Sequence, residues 1–332
     1  MRLYQWESGT PMAEYHPADD DDADALETEP GLGLWALVAP EGAERRGAMR
    51  SYLAPLLSQA ARWVPAAAQA TTRIRAFATA GMRSLSAADQ QSIWTEVRGV
   101  LAEPATSPFL FAAPTDATTI SGNLEGLFGF LAVNFILSQH ADGASSAAVG
   151  ALDLGGASTQ ISFAPTDHAS IMADAYHATL GEEQSTQVYS HSFMNAGQDQ
   201  ARQRLAEELI RRQQPGFGPP GALVPNPCSS PGYLENRTVR SDLYIHQLIG
   251  TGDYDACREL MPALLHPEYE CLQPPCSVAG VYQPALPTQP RAFVGYSAFF
   301  YTVNGILGDV VGCKLSRYRC GTWVAFLPSC QQ

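Results

Sequence analysis

Apolar residues recur at helical spacing in several stretches of the chain and alternate in others. Residues 48–64 place Tyr52, Leu53, Leu56, Leu57, Ala60 and Ala61 on one stripe, which predicts a helix that Pro65 stops. Residues 87–102 and 124–137 predict further helices, and 197–213 another, with Ala201, Leu205, Leu209 and Ile210 on one face. Residues 252–265 and 297–307 complete the helical set. Residues 1–6 read as a short strand, and Arg73–Thr79 alternates as a strand does. Phe109–Phe111 is short and apolar. Residues 148–163 predict two strands folded around Gly155-Gly156. Residues 140–148 are small and polar, a surface loop, and 215–231, rich in Pro and Gly, predict an excursion between elements. No internal repeat shows at a fixed period. Alternating strands and helices indicate an α/β architecture.

Composition narrows the class. The chain has 332 residues, 45% of them hydrophobic and 16% charged. That excludes a wholly disordered chain and suggests about two domains. Its net charge of −13 and pI near 4.9 argue against a nucleic-acid-binding surface. The run from Glu14 to Glu29 is acidic without Lys or Arg, but lacks the glycine and spacing of a calcium loop, so it reads as solvated. No stretch reaches the ~18 apolar residues of a membrane span, and the first residues do not form a signal peptide. All seven cysteines (Cys228, Cys257, Cys271, Cys276, Cys313, Cys320, Cys330) lie in the second half and fit no zinc spacing. That pattern suggests disulfides and an oxidising compartment. Asn236-Arg237-Thr238 is a glycosylation sequon, a weak signal alone.

Three stretches carry candidate chemistry. In Ala151-Leu152-Asp153-Leu154-Gly155-Gly156-Ala157-Ser158-Thr159-Gln160 an apolar strand delivers an aspartate, two glycines and small or polar side chains. Two glycines alone would mark an ordinary hairpin. The whole string favours a phosphate loop, because glycines let backbone N–H groups approach phosphate oxygens. Asp153 can hold a metal-bound water, and Ser158 and Gln160 can aim an attacking water. In Ala78-Thr79-Ala80-Gly81-Met82-Arg83, Thr79 stands between a strand and a helix, and Arg83 can pair with an acid or a phosphate. Strand–Thr–helix junctions are common, so this stretch is weak by itself. In Ile120-Ser121-Gly122-Asn123-Leu124-Glu125-Gly126, Glu125 lies at a glycine-flanked helix start. A carboxylate there can take a proton from water, though helix dipoles favour glutamate at such positions anyway.

These motifs, in this order, resemble the conserved regions of the apyrases, the ecto-nucleoside triphosphate diphosphohydrolases. ATAGMR at 78–83, SGNLEG at 121–126 and ALDLGGASTQ at 151–160 are similar to the second, third and fourth regions, and GYSAFFY at 295–301 to the fifth. YSHSF at 189–193 and GTGDY at 250–254 support the match. The resemblance implies an actin-like, two-lobed, ribonuclease-H-type fold with a nucleotide cleft. It implies hydrolysis of the terminal phosphates of nucleoside tri- or diphosphates with Ca²⁺ or Mg²⁺, in an extracellular or secretory-pathway compartment. By position, Glu125 would be the general base, Ser158 and Gln160 would orient the water, and Asp153 and Thr79 would hold the metal through water. Gly155, Gly156 and Ala157 would cradle phosphate, Tyr301 would stack on the base, and Arg83 would pair with an acid or phosphate.

The chain departs from the family pattern at both ends. The family's first phosphate loop would precede the strand at residues 2–6, and residues 310–332 do not resemble the family's continuation. The expectation is therefore a first lobe over 1–150 without its first phosphate loop, and a second lobe over 151–332 whose last part is missing or replaced. Any membrane anchor would then lie in the missing termini. An inactive truncated member and an exopolyphosphatase-like phosphatase are the alternative readings. Cysteine pairing is open, with Cys228–Cys257 and Cys271–Cys276 as candidates.

Overall fold

The computed structural model describes residues 4–5, 13–14, 28–38, 44–140, 148–165, 171–180, 184–213, 221–239, 244–266, 269–286, 293–307 and 325–326. The acidic segment 15–27 and Cys313, Cys320 and Cys330 lie outside them. The chain divides into two compact units, Met1–Ser121 and Gly122–Gln332.

The first unit comprises β1 (Tyr4–Gln5), β2 (Ala13–Glu14), α1 (Leu32–Val38), α2 (Glu44–Trp63), α3 (Ala66–Gln69), β3 (Ala76–Ala78), α4 (Ala80–Arg83), α5 (Ala87–Leu101) and β4 (Ala117–Thr119). Tyr52, Leu53 and Leu57 of the predicted stripe of α2 join the core with α5, while Ala60 and Ala61 pack against Phe109. In the core with α5, Met49 and Leu57 pack with Ile93, Trp94, Val97, Val100 and Leu101. Ser86 caps α5 by accepting from the backbone N–H of Asp89. The parallel pair β3–β4 is braced by buried Asp116, which faces Arg75 at 3.3 Å and Arg73 at 3.5 Å and accepts from the Ala112 N–H. Two charged partners and a backbone donor are what make a buried carboxylate tolerable.

The second unit comprises α6 (Gly122–His140), β5 (Gly150–Leu154), β6 (Ser158–Phe163), β7 (Ala175–Leu180), β8 (Gln184–Met194), α7 (Gln198–Gln213), β9 (Val224–Asn226), β10 (Leu234–Thr238), β11 (Ile245–Gly250), α8 (Tyr254–Leu265), β12 (Phe293–Ser297), α9 (Ala298–Leu307) and β13 (Ala325–Phe326). Six strands form one sheet in the order β13-β12-β5-β6-β8-β7, with β12 parallel to β5 and the remaining pairs antiparallel. Helix α6 covers this sheet, burying Leu127, Phe130 and Val133 against Ala151, Val188 and Val294. It thus packs with the sheet of the second unit, although the boundary expected from the sequence lay near residue 150. The sheet β10-β11-β9 packs Val224 and Leu248 against Leu205, Leu209 and Ile210 of α7 and Leu260 of α8. Both candidate cysteine pairs are closed, as Cys228–Cys257 and Cys271–Cys276. The first spans 29 residues, and closing a loop of that length in the unfolded chain accounts for about 3.5 kcal/mol in the chain-entropy model. No helix among the described residues is long and apolar enough to cross a membrane.

Candidate active site

The predicted hairpin around Gly155-Gly156 is β5–β6, with Leu154 paired to Thr159 and Asp153 to Gln160. Residues directly opposite in an antiparallel pair share a face, so this register puts Asp153 beside Gln160. Alternation along β6 brings Ser158, Gln160 and Ser162 to the same face, and all three are buried.

The connection Gly155–Ala157 is fixed from behind by the first turn of α7. Gln198 N–H donates to Gly155 O at 2.9 Å, and Asp199 and Gln200 N–H donate to Gly156 O at 2.9 and 3.2 Å. Asn195 N–H donates to Ala157 O at 2.9 Å, and the Thr159 hydroxyl to Ala196 O at 2.8 Å. Gly197 makes this approach possible: a Cβ there would stand 2.5 Å from the backbone nitrogens of Ala157 and Ser158. The loop carbonyls are thereby occupied, while the N–H groups of Gly156 and Ala157 have no protein acceptor among the described residues. Backbone N–H groups left free on a glycine turn suit an anion; Gly155, expected to join them, instead donates its N–H to Ser158 O at 3.0 Å.

Glu125 reaches this face because the first turn of α6 sits directly on β6 and β8. Gly126 permits that contact, since a Cβ would meet Ser162 Oγ and Ser190 Oγ at 2.7 Å and Gln160 Cβ at 3.1 Å. Asn123 locks the turn in place. Its backbone carbonyl accepts from Ser190 Oγ at 2.7 Å, its Oδ1 from Ser192 N–H at 3.0 Å, and its Nδ2 donates to Asp174 at 2.8 Å. Asp174 in turn meets His191 Nδ1 at 2.6 Å. The Gln160 amide then joins the pieces, with Nε2 lying 2.7 Å from Ser158 Oγ, 2.9 Å from Ser192 Oγ and 3.3 Å from Glu125 Oε2. Two amide protons face three acceptors. The long contact to Glu125 is the one a water can most easily replace. Gln160 Oε1 is buried and accepts from no group among the described residues.

Asp153 is the electrostatic outlier. Burial pushes its pKa up; a hydrogen bond from the Ser297 side chain opposes this, and the Glu125 charge adds to it. Its Oδ1 is buried without a hydrogen-bond partner among the described residues. Ser297 holds its place at the end of β12 with φ of 56°, a left-handed conformation uncommon for serine and typical of functional sites. Tyr296, paired with Asp153 across β12–β5, has its hydroxyl pKa raised by burial and then by the charges of Asp153 and Glu125.

The raised pKa of Asp153 fixes the sign of a stability effect. Between the ordinary aspartate value and the raised one, the native state holds a proton that the unfolded chain has released. Stability therefore falls as pH rises through that window. Asp153→Asn is expected to flatten this fall in metal-free buffer, read as melting temperature against pH. An unchanged slope in the variant would assign the proton elsewhere.

The structure brings Glu125, Asp153, Gly155, Gly156, Ala157, Ser158 and Gln160 together. Tyr301 stands on α9, 70% exposed, with Phe300 as its ring neighbour. Thr79 and Arg83 belong to the first unit. Thr79 precedes α4 without a side-chain capping bond, and Arg83 Nη1 donates to Ile120 O at 3.0 Å. Sequence reasoning missed Asn123, Ser192, Ser297 and Gly197. The first three lie inside the SGNLEG, YSHSF and GYSAFFY stretches, where the signal was present but no role was attached.

Residues 2–318 match the model of the GDA1/CD39 (nucleoside phosphatase) family. The "Probable apyrase 4" of Arabidopsis thaliana is 29% identical over 310 residues, covering 90% of this chain and 57% of that protein. The human "Ectonucleoside triphosphate diphosphohydrolase 2" is 30% identical over 328 residues, covering 92% and 61%. This chain thus spans little more than half the length of these relatives. Among solved structures, a nucleoside triphosphate hydrolase from Neospora caninum superposes with a TM-score of 0.58 at 17% identity, covering 80% of this chain and 60% of that one. The likeness shows a common fold, the mixed α/β, actin-like class expected from the sequence.

Proposed function

The chain belongs to the GDA1/CD39 (nucleoside phosphatase) family, and from that premise we propose that it hydrolyses the terminal phosphate of nucleoside tri- or diphosphates in an extracellular or secretory compartment. The observation that carries this reading is the convergence of Glu125, Ser158 and Ser192 on the Gln160 amide, beside a glycine turn whose Gly156 and Ala157 N–H groups have no acceptor among the described residues. In this reading the N–H groups of Gly156 and Ala157 hold the phosphate. A water donates to Gln160 Oε1 and to Glu125, and Ser158 fixes the amide that aims it. Glu125 takes the proton as the water attacks in line, so positioning and charge stabilisation supply most of the rate. Tyr301, exposed on α9, has an open ring face for a base.

A divalent cation fits the site. Asp153 offers a buried oxygen without a partner among the described residues, the hard donor that Ca²⁺ or Mg²⁺ prefers, and the pKa-raising cost of burying it would be relieved. Among the described residues no cluster of three or more His, Cys, Asp or Glu could bind a metal directly. When bound, such an ion neutralises charge on the phosphate oxygens. The two disulfides support an oxidising compartment.

The test is phosphate release from ATP, ADP and their guanine and uridine counterparts, with and without excess chelator. Release that the chelator abolishes and added Ca²⁺ or Mg²⁺ restores is the expected result. Undiminished release in chelator would remove the metal role, and no release with any nucleotide would remove the reading.

A further inference from the structure

Among the described residues β10 is an edge strand, bonded to β11 on one side only. Along it exposure alternates residue by residue. Glu235 and Arg237 turn inward, where Glu235 pairs with Arg237 and, at 2.8 Å, with Arg202 of α7. Leu234, Asn236 and Thr238 face solvent. The register places exposed Gln247 opposite Asn236 and Ile245 opposite Thr238 on the same face. Leu234 is 53% and Ile245 63% exposed, and Tyr233 beside them is also exposed. Bare apolar side chains on an edge strand invite association with another chain.

Asn236 stands in the middle of this face, and Asn236-Arg237-Thr238 is the only Asn-x-Ser/Thr sequon in the sequence. An extended backbone sets residues two apart on one side, so the Asn amide and the Thr hydroxyl point the same way while Arg237 is out of the path. Asn236 Nδ2 donates to no group among the described residues, and Oδ1 receives only a 3.5 Å contact from Gln247. The Cys228–Cys257 bridge ties the turn before β10 to α8, so this module is built for the oxidising compartment in which sequons are modified.

We propose that Asn236 carries an N-linked oligosaccharide and that this glycan covers the apolar face of β10–β11. The donor class is a lipid-pyrophosphate-linked oligosaccharide. Asn236 Nδ2 bonds to C1 of the first sugar, the C1–O bond to pyrophosphate breaks, the lipid pyrophosphate leaves, and one amide proton passes to the transferase. The proposal does not need the hydrolytic activity, but it rests on the secretory compartment proposed with it.

The full chain, directed into the endoplasmic reticulum of cultured eukaryotic cells, tests it by digestion with an N-glycan-cleaving amidase. Intracellular and secreted pools are both read, so poor secretion does not hide the answer. The expected result is a mass loss of one glycan with conversion of residue 236 to Asp. Asn236→Gln and Thr238→Ala should lose the shift and Thr238→Ser should keep it. An unmodified Asn236 in chains with the Cys228–Cys257 bridge closed would overturn the site. Enzymatic deglycosylation of the folded protein should raise binding of an apolar-surface dye and promote self-association. If both stay unchanged, or if the glycosylated protein already dimerises through this face, the covering role is overturned.

Discussion

Glu125→Gln is expected to lower nucleotide turnover by about 10²–10⁴-fold while leaving KM within a few-fold of its starting value. The substitution keeps the shape of the side chain and its place on the first turn of α6, and removes only the ability to take a proton. The 3.3 Å approach of Gln160 Nε2 to Glu125 Oε2 makes the point specific. A glutamine can still receive that contact through its carbonyl, so the Ser158–Gln160–Ser192 arrangement survives and substrate binding should too. The measurement is steady-state hydrolysis of the best substrate found. A loss of less than about threefold would take Glu125 out of the proton transfer.

Gly126→Ala should do nearly as much harm without touching a reacting group. Its Cβ would stand 2.7 Å from the hydroxyls of Ser162 and Ser190, which are bonded to each other at 2.7 Å and buried. Neither is a flexible tip that can swing away. Relief requires α6 to lift from β6 and β8, taking Glu125 with it. Overpacking of this kind costs about 1–3 kcal/mol of stability, and a shift of about 1 Å at a reacting group can cost about 10²-fold in rate. A double substitution, Gly126→Ala with Ser162→Gly, creates room on one side and should recover part of the activity. Thermal melts and kcat measured together separate the two effects. Full activity in the single variant would show that α6 does not need this contact.

The helices were legible because each shows a long apolar stripe or a clean stop signal. α2, α5, α7 and α8 begin and end within a few residues of their expected limits, although Pro55 lies inside α2. The β5–β6 hairpin was legible because Gly155-Gly156 interrupts an apolar strand. The sheet's other half was not. β8 reads Gln-Ser-Thr-Gln-Val-Tyr-Ser-His-Ser-Phe-Met, with serines where alternation would ask for apolar residues. Ser190 is buried and Ser192 half-buried because they bond to Asn123, Ser162 and Gln160, and such pairing has no one-dimensional signature. For the same reason Glu125 and Gln160 could each be named, but their meeting could not. It depends on Gly126 and Asn123 docking one element on another. Ser297 escaped notice because only the parallel register of β12 with β5 brings it to Asp153.

The first turn of α7 has one further effect. Its N–H groups are committed to the carbonyls of Gly155 and Gly156, so the positive end of the helix is not free to attract an anion. Asp199, in that same turn, places Oδ2 2.8 Å from where a Cβ on Gly156 would stand. In the proposed reading, a phosphate held on the loop would lie near a fixed negative charge. Across ~4 Å of solvent-screened space that repulsion is about 1 kcal/mol, roughly a fivefold loss of affinity for a bare anion. A phosphate accompanied by a cation suffers little of it. On that reading, once inorganic phosphate parted from its cation the Asp199 charge would oppose its staying on the loop, and escape of the product would follow from the same turn that shapes the loop.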